Sequence, residues 1–200
     1  MTTRTITRLY DNHAEAVTAV QALEAAGFSH DDVSIVANNA DSRYANGTTA
    51  TDPTESVGDA GAGATAGTIF GGGLGLMAGI GALAIPGVGP VVAAGWLVAT
   101  LAGAGVGAAV GAGTGGLIGA LTHEGVPEHD AHVYAESVRR GGSLVTARVD
   151  ETRVAEAERI LDQRTAVDVA ARRMDYEKAG WKNFDDTSGP YVSGSTQAHL

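Results

Sequence analysis

Between Ala60 and His123 the chain runs for sixty-four residues without one Asp, Glu, Lys or Arg, and twenty of them are glycine. The glycines are spaced. Gly63, Gly67, Gly71, Gly75 and Gly79 fall at every fourth position, and so do Gly103, Gly107, Gly111, Gly115 and Gly119. On a helix, residues four apart share one face, so each row predicts a side-chain-free groove about 24 Å long at 1.5 Å per residue. Such a groove lets a second helix backbone approach closely and gain dispersion contacts. An isolated helix in water would not carry it, because each Gly costs about 0.8–1.0 kcal/mol relative to Ala. The alternative reading is a flexible low-complexity linker. Leu74, Leu76, Met77, Ile80, Leu83, Val91, Val92, Trp96, Leu97 and Leu101 oppose it, because flexible linkers lack large apolar side chains.

Pro86, Gly87, Gly89 and Pro90 interrupt the stretch, and two prolines with two glycines cannot continue a helix. The prediction is a helical hairpin bending at 85–90, with arms over 60–85 and 91–121. Both arms exceed the roughly 20 residues that span a bilayer. Gly79 lies much nearer the bend than Gly103 does, which offsets the two rows by about 10 Å and favours contacts between subunits.

The flanking segments have a different pattern. TRTITRLY (3–10) is rich in Thr and β-branched residues and predicts a strand. Asp11 and Asn12 can cap a helix whose apolar line is Ala16, Val17, Val20, Leu23 and Ala26, and Gly27 is placed to end it. DVSIVA (32–37) reads as a second strand, and 38–59 as a polar linker. After Gly125-Val126-Pro127 the pattern predicts a helix, then a strand at SLVTARV (143–149), an amphipathic helix over 150–164, and a strand at AVDVA (166–170). Two β-α-β units predict an α+β, ferredoxin-like four-stranded sheet with two helices on one face, split by the glycine-zipper hairpin. The expected divisions are 1–37, 38–59, 60–123, 124–170 and a C-terminal tail at 171–200.

The segments TRLYDNHAEAVTAVQALEAAGF, LAIPGVGPVVAAG and GVPEHDAHVYAESVRRGGSLVTARV resemble the bacterial general stress proteins of the heat-induced YflT-like type. The resemblance covers 1–37 and 60–170. It implies a stress-linked, non-catalytic protein with a ferredoxin-like domain and a glycine-zipper insert. The tail resembles a further recurrent piece of such proteins, through Tyr176, Trp181, Phe184 and Tyr191 in a YxxxGWxxFDxxxxPY pattern. Its aromatics either dock on another subunit or partner, or adhere to the chain's own body.

Charge narrows the functions. The net charge is −10, with nine acids and three bases before residue 60 and fourteen acids and ten bases after residue 123. No segment is basic enough for a nucleic-acid footprint. There is no cysteine, hence no disulfide framework and no thiol nucleophile. The amino-terminal residues lack the apolar core of a signal peptide, so a location in the cytoplasm or at the inner face of a membrane is expected. No GxxxxGK[ST] or GxSxG motif occurs, and no cofactor is implied. His123, His129 and His132 are weak metal candidates, two of them three apart on a predicted helix; an acidic first turn with solvated histidines is the plainer reading.

These observations leave two main expectations. One is a non-catalytic stress protein that self-associates through its glycine rows and inserts in or associates with a membrane. Its acidic flanks, Asp52, Glu55, Asp59, Glu124 and Glu128, sit poorly against anionic lipid. The other is a soluble, self-assembling cytoplasmic oligomer, a ring or cage with the apolar helices buried between subunits.

Overall fold

In the computed structural model the described residues are 3–39, 81–85, 87–97, 100–101, 116–188 and 191. Five strands form one antiparallel sheet: β1 (Thr3–Tyr10), β2 (Val33–Asn38), β3 (Gly81–Ile85), β4 (Gly89–Gly95) and β5 (Ser143–Asp150), in the order β1-β5-β2-β4-β3. The helices are α1 (His13–Ala25), α2 (Leu117–His123), α3 (Glu128–Arg139), α4 (Val154–Asp162) and α5 (Val169–Lys178).

Alternation along the strands feeds two cores. Ile6, Tyr10, Val33, Ile35, Val145, Ala147 and Val149 face α1 and α4, where Val20, Leu23, Ile160 and Leu161 meet them. Leu9, Val36, Val91, Ala93 and Leu144 point the other way, onto Leu117, Leu121, Tyr134, Ala135 and Val138 of α2 and α3. The sheet is therefore covered on both faces, which is why its central strands read as nearly continuous apolar runs rather than as clean alternation.

Local signals set the element ends. Asn12 caps α1 by accepting from the Ala14 N–H at 2.9 Å. Gly27, at φ +82°, turns the chain out of the helix in the left-handed region that glycine adopts without penalty. Asp150 accepts from the Thr152 N–H and opens the short turn that leads into α4.

The expected ferredoxin-like domain split by a helical glycine-zipper hairpin is not the fold. The α+β class stands, with three corrections. First, the Pro86–Pro90 bend joins two strands. Gly87 (φ +74°) and Gly89 (φ +95°) make the turn, Val88 N–H donates to the Ile85 carbonyl at 3.1 Å, and β4 then pairs with β2 from Ser34↔Gly95 to Asn38↔Val91. Val91-Val92-Ala93-Ala94 is apolar on both sides because both sides are buried, and an apolar run of that length has no period to separate helix from strand. Second, no strand forms at 166–170. Val167 N–H gives one bond to the Leu9 carbonyl (2.8 Å), and then Asp168 caps α5 by accepting from the Ala171 N–H (3.0 Å). Third, helices cover both faces of the sheet instead of one.

The membrane reading falls with the helical hairpin. Among the described residues no helix is long and apolar enough to cross a membrane, and the centre of the charge-free stretch is built into a sheet. Membrane insertion and a membrane-associated location are accordingly withdrawn. Of the ten glycines in the two rows, Gly119 lies in α2, half-buried, and the other nine lie outside the described residues, as does Pro86.

Candidate interaction surfaces

Among the described residues strand β1 ends the sheet, with β5 on one side and no strand on the other. In an antiparallel ladder successive residues point their backbone groups to opposite sides. The Leu9 carbonyl accepts from Val167 on the outer side, so the N–H and C=O groups of Thr3, Thr5 and Thr7 also point outward. A groove of about 470 Å³ runs along this edge, lined by β1 itself and walled by Val126, Pro127 and Tyr134 on one side and Glu158 on the other. Thr7, at 7% exposure, has a buried hydroxyl with no hydrogen-bond partner.

The end of this groove is held by an ionic cluster that joins four elements. Glu124, just past α2, takes a two-pronged contact from Arg148 of β5, Nη2 to Oε1 at 2.6 Å and Nε to Oε2 at 3.1 Å, and accepts from the Thr5 hydroxyl at 3.0 Å. The Arg148 guanidinium also lies 3.7 Å from the centre of the Trp96 ring, a cation–π contact. The bonds from Arg148 hold the Glu124 carboxyl below its usual range, with burial opposing and the Thr5 hydroxyl assisting. On the opposite face Arg8 pairs with Asp162 at 2.7 Å. Among the described residues neither Arg4 nor Glu158 makes an ion pair, and Glu158 lies near enough to Arg8 to favour its charged form.

The C-terminal aromatics lie on the chain's own body. Tyr176 is buried, its hydroxyl 3.0 Å from Ser137 Oγ, and the Trp181 ring meets it edge-on at 5.6 Å. The Arg140 guanidinium stacks 4.3 Å from the Tyr176 ring and 5.1 Å from that of Tyr191. Arg140 and Arg139 both bind the Glu136 carboxylate, which is 1% exposed. Phe184 packs into the core shared by β4 and α3, and the Phe184–Asp186 segment lies directly on Gly87 of the β-hairpin turn. Asp185 fixes that segment by accepting from the Thr187 N–H and from the hydroxyls of Thr187 and Ser188; these bonds hold its carboxyl below the usual range.

The histidines do not converge on a metal. His129 pairs with Asp130 at 3.3 Å, His132 lies 3.9 Å from Glu128, and His123 sits at the end of α2. Among the described residues no group of three or more potential ligands could hold an ion.

Sequence reasoning did not single out Arg148, Trp96 or the β1 edge. Arg148 was legible as a charge inside an otherwise apolar strand, a position that calls for a paired partner. The open edge was not legible, because it exists only where the expected fourth strand fails to form.

Residues 5–79 match the model of the heat-induced stress protein YflT domain. Over that segment the chain is similar to the YflT-domain stress proteins. The matched segment contains β1 from Thr5, α1 and β2, and it ends before β3, so the hairpin, β5, α4 and the aromatic tail lie beyond it. The searches of curated proteins and of solved structures return no match.

Proposed function

We propose that this protein works by assembling with copies of itself, with its apolar, charge-free segments buried between subunits. The observation that carries the reading is the combination of a body already covered on both sheet faces by its own helices with a sequence that contributes further charge-free residues at 60–80 and 102–115. Apolar surface of that extent needs a partner, since soluble monomers tolerate contiguous apolar patches of only a few hundred Å². The described helices offer no bilayer span to supply one. A role under heat or related stress follows from the family's description.

The glycine rows supply the register of the contact. In detergent-free buffer, sedimentation velocity is expected to show a discrete multimer. Gly71→Leu and Gly111→Leu should shift it toward smaller species by adding bulk where the rows are proposed to meet a second copy, while Gly61→Leu, outside both rows, should leave it in place. A monomer at all concentrations contradicts self-assembly; equal effects at the three sites contradict a register-specific contact.

A further inference from the structure

We propose that β1 is itself an assembly surface, pairing antiparallel with β1 of a second copy about a two-fold axis at Thr5, so that two five-stranded sheets become one. The inference rests on self-association in requiring a second copy, but it concerns a different surface from the glycine rows.

The edge lacks the usual protections. Natural edge strands are blunted by bulges, prolines or lysines, or are covered by other structure. Here the β1–β5 register is unbroken from Thr3↔Asp150 to Tyr10↔Ser143, and the residues whose backbone groups point outward are Thr3, Thr5 and Thr7. Threonine favours strands and pairs well with threonine across them. Among the described residues the Val167 bond to Leu9 closes one end, Thr3 and Thr5 stay accessible, and Thr7, itself buried, lines the groove.

That open segment selects its register. A two-fold axis at Thr5 pairs Thr3 with Thr7 and Thr5 with Thr5, and every outward backbone group gains a partner, about six hydrogen bonds in all. An axis at Ile6 sets Arg4 opposite Arg8 and calls on the Leu9 carbonyl already taken by Val167. An axis at Thr7 calls on the same carbonyl. An axis between Arg4 and its own copy sets like charges face to face, which is unfavourable. Of these axes only the one at Thr5 avoids both conflicts, and it pairs all of Thr3, Thr5 and Thr7. It also sets Arg4 opposite Ile6 of the second copy, toward the Glu158 that walls that copy's groove. Among the described residues neither charge makes an ion pair, and they have opposite sign.

The test combines amide exchange with two substitutions in the full chain. In the associated wild-type protein the Thr5 and Thr7 amides are expected to exchange about tenfold or more slower than in dilute, dissociated protein. Thr5→Pro removes an outward N–H at a position where an edge strand tolerates proline. It should weaken association about tenfold or more, from two lost hydrogen bonds at roughly 1 kcal/mol each. Thr5→Ala keeps the N–H and loses only the side-chain contacts, the hydroxyl bond to Glu124 among them, so it should weaken association less than Thr5→Pro does. If Thr5→Pro fails to fold, the wild-type exchange decides alone. A multimer whose Thr5 and Thr7 amides stay unprotected overturns the β1 pairing while leaving self-assembly standing. A chain that is monomeric at every concentration overturns both.

Discussion

At the residue scale, Glu124 is a node that joins separate elements. It lies outside any helix or strand, yet it ties β1, β5 and α2 together through Thr5 and Arg148. Its depressed pKa has a definite sign for stability. The folded state binds its proton more weakly than the unfolded chain does, so the contribution is fully present above the ordinary value of 4.5 and is lost as the pH falls through the folded value. Glu124→Gln should therefore lower stability by about 1–3 kcal/mol at pH 7, the range for a charge-assisted bond left unmade. The difference from wild type should shrink as the pH drops below the carboxylate range. Urea titrations of both proteins at pH 7 and pH 3 measure it, and a difference independent of pH contradicts the assignment. Tyr10 and Tyr134, one on each face of the sheet, are pushed up to about 12, chiefly by burial.

At the element scale, the β3–β4 turn and the C-terminal tail depend on each other. Gly87 has φ +74°, and a Cβ there would strike the Asp185–Asp186 backbone and the Phe184 ring. Gly27 has φ +82° and open space around it. Alanine at either site carries the left-handed penalty of about 1–2 kcal/mol, but only Gly87→Ala should also displace the tail. In a Trp96→Phe background, Trp181 fluorescence is expected to shift to the red in Gly87→Ala and to stay unchanged in Gly27→Ala. Identical spectra would contradict tail docking on the turn. The same elements show where the sequence was readable. Thr3–Tyr10 and Ser143–Asp150 lie where their strand patterns put them, and α1 starts at its Asn12 cap. Val91–Ala94 was not readable, since residues buried on both faces erase the two-residue period. Ala166–Ala170 carried strand propensity, but the Asp168 cap decided for a helix. For the aromatic tail, composition could not distinguish an outside partner from the chain's own α3, because the deciding contacts, Ser137 with Tyr176 and Gly87 with Phe184, join residues far apart in sequence.

At the scale of the whole molecule, the charge-free stretch has changed role. Its four-residue glycine spacing argued for two long helices, and its centre is instead a β-hairpin that widens the sheet beside β2. That hairpin gives the protein a two-sided body with its tail folded back on it. The β1 edge and the remaining charge-free sequence are where the proposed self-assembly places a second copy. The claim on which this account turns is that β4 lies against β2, and the absence of native cysteine makes it directly measurable. Ile35↔Ala94 and Val36↔Ala93 are successive cross-strand pairs, and one of them is the closer, non-hydrogen-bonded kind whose geometry suits a disulfide. With Ile35→Cys/Ala94→Cys and Val36→Cys/Ala93→Cys made separately, mild oxidation is expected to form an intramolecular disulfide in at least one variant while the fold is kept. If neither cross-links while a pair in the β2–β5 ladder, Ile35→Cys/Val145→Cys, does, the central hairpin is not part of the sheet and the account is contradicted.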